Sequence, residues 1–166
     1  AMWFATAQTD LGWVAIAGTE KGLAAMEFGD DKTSLTTSIK ARFRDADWIE
    51  ADVRLDTIVQ KAVDQIKTPD GLFELPLDIQ GTAFQKLVWR ALQQTKPGQT
   101  ATYGDIAAMI EKPKSVRAVA NACGANPLAV IVPCHRIVRS DGGLGGYRWG
   151  EARKRQLIEA ERKSNS

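Results

Sequence analysis

The texture of the sequence changes at Gly81. Before it, the apolar runs Trp3–Gln8, Trp13–Ala17 and Leu23–Phe28 are separated by Thr9-Asp10-Leu11-Gly12 and Gly18-Thr19-Glu20-Lys21-Gly22, which predicts a small antiparallel meander. Residues 32–43 are helical in character. Val53, Leu55, Ile58, Val59, Ala62, Val63 and Ile66 mark the apolar face of a helix over 53–66. Thr68-Pro69-Asp70-Gly71 breaks that helix, and Leu75-Pro76-Leu77-Asp78-Ile79 reads as extended.

After Gly81 come short helices with their own start signals. Thr82 with Gln85 forms a capping-box pattern that opens a helix to about Gln94, and Thr102 with Asp105 opens a second to about Ile110. Lys112-Pro113-Lys114 makes a turn, and Ser115 is placed to cap a third helix that reaches Cys123-Gly124. Two short helices across a tight turn are a helix-turn-helix candidate. Residues 150–163 predict a final basic helix. The expected fold is α/β (α+β). A scaffold domain over 1–78 carries the small antiparallel sheet and helices, and a mostly helical domain over 79–166 carries the chemistry.

Charge divides at the same place. Residues 1–80 hold 8 Lys/Arg against 14 Asp/Glu, a net of −6, whereas residues 81–166 hold 14 against 6, a net of +8. The second part is suited to a polyanion, although helix faces that simply differ in charge give the same count. No apolar run approaches the roughly 18 residues of a membrane helix. The opening Ala1-Met2-Trp3-Phe4 lacks the basic-then-apolar pattern of a signal peptide. Two cysteines and one histidine cannot supply the four ligands of a structural zinc site from these residue types alone; no metal and no cofactor are expected. A reducing, cytoplasmic setting without a disulfide fits this cysteine usage.

The third helix, 115–125, has Arg117 as its one long side chain. A helix that reads base edges in the major groove normally carries several Asn, Gln, Arg or Lys residues. Small residues instead let a backbone come close to a surface, as in sequence-indifferent minor-groove binding with a wedge side chain. A small-residue helix packed on another helix, with Arg117 paired at the surface, fits the same composition.

The sharpest feature is Ala129-Val130-Ile131-Val132-Pro133-Cys134-His135-Arg136-Ile137-Val138, a buried, strand-like run delivering a cysteine beside the chain's single histidine. A thiol is a good nucleophile only as thiolate, and imidazole or a cation promotes that form. Neighbours on a strand point to opposite faces, so a working Cys–His pair here needs a sharp bend after Pro133 or a bridging water. A third group should orient the imidazole. The alternative is a small buried cysteine and a satisfied core histidine. Cys123, mid-helix and without a histidine, reads as packing.

Residues 81–162 resemble the C-terminal domain of the O6-alkylguanine-DNA alkyltransferases, including that of bacterial Ada. The resemblance rests on Gly81-Thr82-Ala83-Phe84 with Val88-Trp89, Thr102-Tyr103-Gly104, Lys112-Pro113-Lys114, Arg117-Ala118-Val119, Asn126-Pro127, Pro133-Cys134-His135-Arg136 and Gly146-Tyr147-Arg148-Trp149-Gly150. It implies that Cys134 accepts the alkyl group once and irreversibly. His135 would polarise the thiol through a water, Glu161 would orient His135, and Asn126 would support the adjacent turn. Tyr103 would rotate the damaged nucleotide outward and assist proton donation. Arg117 would fill the gap, with Ser115, Ala118 and Asn121 on the same DNA-facing helix.

Tyr147, Arg148, Trp149 and Ile137 would form the base pocket, with a bulky Trp149 favouring methyl over benzyl adducts. The implied substrate is double-stranded DNA bearing O6-alkylguanine, and O4-alkylthymine besides. The implied protein is monomeric, bacterial and nucleoid-associated through DNA. Three other readings remain: a non-enzymatic lesion binder, which would lack the acceptor cysteine; a part of an Ada-type regulator; and a Cys-His hydrolase, which would need an oxyanion hole.

Overall fold

The computed structural model describes residues 1–49, 53–68 and 73–164. The chain divides into two compact units. One comprises Ala1–Lys67, Phe73–Gln80 and Pro127–Ala129; the other comprises Gly81–Asn126 and the chain from Val130 onward. Of the expected helix break, Pro69, Asp70 and Gly71 lie outside the described residues.

The first unit contains the meander: β1 (Met2–Thr9), β2 (Gly12–Thr19) and β3 (Gly22–Gly29), antiparallel in register. Its turns are built from local side chains. The Thr9 hydroxyl accepts from Leu11 N at 3.1 Å and donates to Gly12 O at 2.8 Å. Gly22 has φ +148°, and a Cβ there would stand 2.4 Å from the Pro76 carbonyl oxygen, so no other residue fits without displacing backbone.

A fourth strand, β4 (Trp48–Ile49), was not foreseen. It pairs parallel to β1, so the sheet is mixed with order β3-β2-β1-β4, and two residues are too few to show a period. Helix α1 (Lys32–Arg42) starts where Asp31 accepts from Ser34 N at 2.8 Å. Its Leu35 and Ile39 pack on Ala15, Ala17 and Ala25 of the sheet, with Phe4, Trp13, Phe43 and Trp48 closing over them. Helix α2 (Val53–Lys67) buries Leu55, Ala62 and Ile66 of its predicted face. Pro127–Ala129 counts with this unit because Met26 N donates to Pro127 O and Ala129 N to Met26 O, both at 2.9 Å.

The second unit holds α3 (Ala83–Gln93), α4 (Tyr103–Met109), α5 (Val116–Gly124) and α6 (Glu151–Ser164). Both expected capping boxes form, Thr82 with Gln85 and Thr102 with Asp105. The expected Ser115 cap does not form: Ser115 precedes α5 but its hydroxyl makes no capping bond, because its backbone sits at φ −98°, ψ 28° rather than in the extended geometry of a side-chain cap. The α4–α5 turn passes through Glu111 at φ +62°. Trp89 of α3 packs beneath α5 and donates its indole N–H to Ala122 O at 2.8 Å.

Candidate active site

The run from Val130 to Val132 is buried as expected but is not a strand. The wholly buried Asn126 donates its amide to Val132 O at 2.8 Å, and Val130 takes φ +70°, so the segment folds back on itself in turns. Such a φ is strained for a β-branched residue and persists only where its surroundings dictate it. Cys134 N then donates to Val132 O at 2.8 Å, and Cys134–Arg136 form a single 3₁₀ turn. With three residues per turn, successive side chains diverge by about 120°. The turn, not a strand, sets their directions: Cys134 reaches a cleft and His135 reaches Glu161.

Cys134 lines a cleft of about 260 Å³ together with Tyr103, Ala120, Cys123, Gly124, Gly146, Tyr147 and Arg148. His135 is wholly buried, with its Nε2 2.7 Å from Oε2 of Glu161 on α6. Arg136 holds that carboxylate from the other side, Nε to Oε1 and Nη2 to Oε2, both at 3.0 Å. Arg136 also donates to Thr95 O at 2.7 Å, which ties the network to the end of α3.

Burial holds His135 below the ordinary imidazole range, outweighing the upward pull of Glu161. Burial presses Glu161 upward, but its bonds to His135 and Arg136 prevail and keep it below the ordinary carboxylate range. The pair is therefore neutral imidazole and carboxylate. The imidazole proton then belongs on Nε2, where it is donated to Glu161, and Nδ1 keeps a lone pair. Nδ1 is buried and has no hydrogen-bond partner.

Burial, and contact with the Cys123 thiol, push the Cys134 thiol well above its usual range; Asn126 and Lys154 oppose this. Burial likewise raises the phenol pKa values of Tyr103 and Tyr147, and the Tyr147 hydroxyl is buried without a partner. A thiol, an imidazole held by a carboxylate, and a walled cleft are thus assembled in one unit. Among the described residues no cluster of three or more His, Cys, Asp or Glu could hold a metal ion.

The family model described as "6-O-methylguanine DNA methyltransferase, DNA binding domain" matches residues 83–163. Ada of Escherichia coli, named "Bifunctional transcriptional activator/DNA repair enzyme Ada", is 46% identical over 158 residues, 95% of this chain and 45% of that protein. The "Methylated-DNA--protein-cysteine methyltransferase" of Methanosarcina barkeri is 36% identical over 160 residues, 96% of this chain and 97% of that protein. The chain belongs to the methylated-DNA–protein-cysteine methyltransferase family. It is similar in structure to Mycobacterium tuberculosis OGT in complex with DNA, with TM-score 0.81 and 31% identity over 98% of this chain and 94% of that one. It spans less than half the length of the Ada relatives it matches.

In this member of the methyltransferase family, Cys134, His135, Glu161 and Asn126 come together in and around the turn, and Tyr103 joins Cys134 at the cleft. On α5, Arg117, Ala118 and Asn121 are exposed on the face opposite buried Val119, Ala122 and Cys123, and Ser115 is half-buried. Arg117 forms no ion pair among the described residues, contrary to the surface-paired alternative. Two pocket expectations need correction. Ile137 is buried, its N–H bonded to Cys134 O across the turn, and does not line the cleft. Trp149 is buried behind Tyr147, ring centroids 5.2 Å apart, so the indole backs the wall rather than forming it.

Three residues went unassigned in the sequence. Cys123, read there as packing, lines the cleft and touches the Cys134 thiol. Arg136 fixes Glu161, and Lys154 reaches the cleft loop. Arg136 was visible in the motif without a role. Nothing in a basic helix distinguishes Lys154 from its solvent-facing neighbours.

Proposed function

We propose that this chain performs direct reversal of DNA alkylation: it transfers the alkyl group from O6 of guanine, and from O4 of thymine, in double-stranded DNA to Cys134. The transfer is irreversible and happens once per molecule. The observation that carries this reading is the buried, unpartnered Nδ1 of His135, the residue that follows Cys134, with Nε2 committed to Glu161. The thiol proton has one basic destination, Nδ1, through a water where the two do not touch. The thiolate attacks the alkyl carbon in line with O6; the S–C bond forms as the C–O6 bond breaks. The electron pair stays on guanine, whose N1 recovers the proton, with the Tyr103 hydroxyl donating toward the developing charge. The product thioether is inert, and no group in the cleft attacks it.

A reacting carbon inside stacked duplex cannot be approached in line, so the nucleotide must be flipped into the cleft. The exposed face of α5 suits the minor groove, with Arg117 entering the gap and Ala118 admitting close approach. Tyr147 and Arg148 wall the base. Alkyl size would be limited through Tyr147, which Trp149 holds in place, with methyl preferred over benzyl. In this reading the protein acts as a monomer, without cofactor, in the cytoplasm where the nucleoid lies. Among the described residues no helix is long and apolar enough to cross a membrane.

The test is intact mass after incubation with duplex oligonucleotide containing O6-methylguanine. Wild type should gain about 14 Da on the peptide bearing Cys134, and Cys134→Ala should gain nothing. Tight lesion binding with no mass change would transfer the case to a non-catalytic lesion binder.

A further inference from the structure

Lys154 is out of place in α6. Arg155, Arg162 and Lys163 of that helix are exposed, yet Lys154 is 0% exposed. Its Nζ donates to the Gly146 carbonyl at 2.9 Å and forms no ion pair among the described residues. Lysine is almost never fully buried unless it is paired, because an ammonium out of water needs a counter-charge and has three donors to satisfy. One neutral carbonyl meets neither need.

Gly146, the carbonyl it holds, lines the same cleft as Cys134. The ionisable groups around that cleft are few. Tyr103 comes from α4, Cys123 from α5, and Tyr147 and Arg148 from the cleft loop, with the Arg139 side chain beside Gly145; His135 and Arg136 come from the turn, and Arg153, Lys154 and Glu161 from α6. Glu161 is already matched by Arg136, and both phenols are kept protonated by burial. Glu151 acts on Lys154 only from the exposed start of α6. The anion left to face the ammonium is the Cys134 thiolate, once its proton has left.

We propose that Lys154 is a positioning cation for the transfer, its ammonium anchored behind the cleft wall by Gly146 and serving as the counter-charge of the Cys134 thiolate. The assignment rests on Cys134 being the acceptor. When the thiol proton leaves for His135, the charge on Sγ faces the ammonium; as the S–C bond forms, that charge passes to guanine and Lys154 keeps its proton. The interaction is reciprocal: Lys154 draws the Cys134 thiol down against burial, and Cys134 draws the Lys154 ammonium up against burial. Anchoring also braces the loop that carries Tyr147, since the carbonyl that Nζ holds belongs to Gly146, the residue before it.

Single-turnover methyl transfer, followed by intact mass between about pH 6 and 10, separates the charge from a packing role. Lys154→Met should move the inflection of rate against pH upward by about one unit, slowing transfer roughly tenfold on its acid side. Lys154→Arg should restore the inflection. An inflection unmoved in Lys154→Met overturns the proposal. A second measurement leaves Lys154 intact: ¹³Cε resonances should show Lys154 titrating at lower pH in Cys134→Ser than in wild type, and equal midpoints overturn the proposal. Wild type that gains no methyl group would sink the acceptor role of Cys134, while the lysine titration would still decide the charge pairing.

Discussion

β2 and the segment from Val130 to Ile137 are both rich in Val and Ile and both well buried, yet only one is a strand. In β2, Val14, Ala15, Ile16 and Ala17 lie between two antiparallel neighbours, and the ladders satisfy the backbone. In the other segment the partners are local. Asn126 takes the Val132 carbonyl, Pro133 has no N–H to offer, and Ile137 N returns to Cys134 O. A ladder offers side chains two directions, 180° apart. The turn fans Cys134, His135 and Arg136 apart, so one serves the cleft while the other two grip Glu161. The sheet is built for packing, and the turn accepts backbone strain at Val130 for the sake of aim.

The largest test of that division removes the grip. Glu161→Ala leaves Arg136 buried without its carboxylate, which should cost about 3–5 kcal/mol of stability and abolish measurable transfer. Gly22→Ala in the sheet forces a Cβ against the Pro76 carbonyl at a left-handed φ and should cost about 1–3 kcal/mol. It should leave transfer by the folded fraction unchanged. Urea midpoints paired with single-turnover rates read both variants. If Gly22→Ala slows transfer as much as it lowers stability, the separation of packing from aim fails.

The same contrast explains what could be read in advance. Thr9, Gly12 and the two capping boxes act on residues within a few positions of themselves, so the first meander turn and the starts of α3 and α4 were legible. The Val130–Pro133 turn depends on a buried amide meeting a carbonyl six residues on, and composition alone says strand. β4 is too short to carry a pattern. Cys134 and His135 were visible as a pair. Glu161 came only through family resemblance, because it lies 25 positions beyond Arg136 and the intervening chain decides which face of α6 meets the turn. Lys154 and Cys123 looked like an ordinary surface lysine and a packing cysteine; their surroundings, not their neighbours in sequence, give them a site.

A smaller test uses pH. His135 is the only histidine in the chain and belongs to the turn, not the sheet. Burial lowers its native pKa below the unfolded value of about 6.5. Below that pH the unfolded chain takes up a proton that the native turn refuses. Stability should therefore fall as pH drops from about 6.5 toward the native value, by at most about 1.4 kcal/mol per unit. Glu161 acts in a separate, more acidic window, where its stabilisation is lost as pH falls through its lowered native pKa. His135→Gln should flatten the slope just below pH 6.5, read from urea midpoints. A slope unchanged in that variant would place the sensitivity elsewhere.

The finest test compares two buried valines, Val14 in β2 and Val130 in the turn. Val→Gly at either site loses buried side-chain contacts worth about 1.5–3 kcal/mol and adds the roughly 0.5–1 kcal/mol entropic cost of glycine. At Val130 alone the change also relieves a β-branched residue held at φ +70°, returning about 1–2 kcal/mol. Val130→Gly should thus be milder than Val14→Gly by about 1–2 kcal/mol, a difference that urea midpoints resolve. If the turn were shaped by Val130 itself rather than imposed by Asn126 and Pro133, glycine would loosen it. Transfer would then slow along with the stability change. If the surroundings impose the turn, transfer should persist in the folded fraction, because the aim of Cys134 does not depend on the side chain that bears the strain.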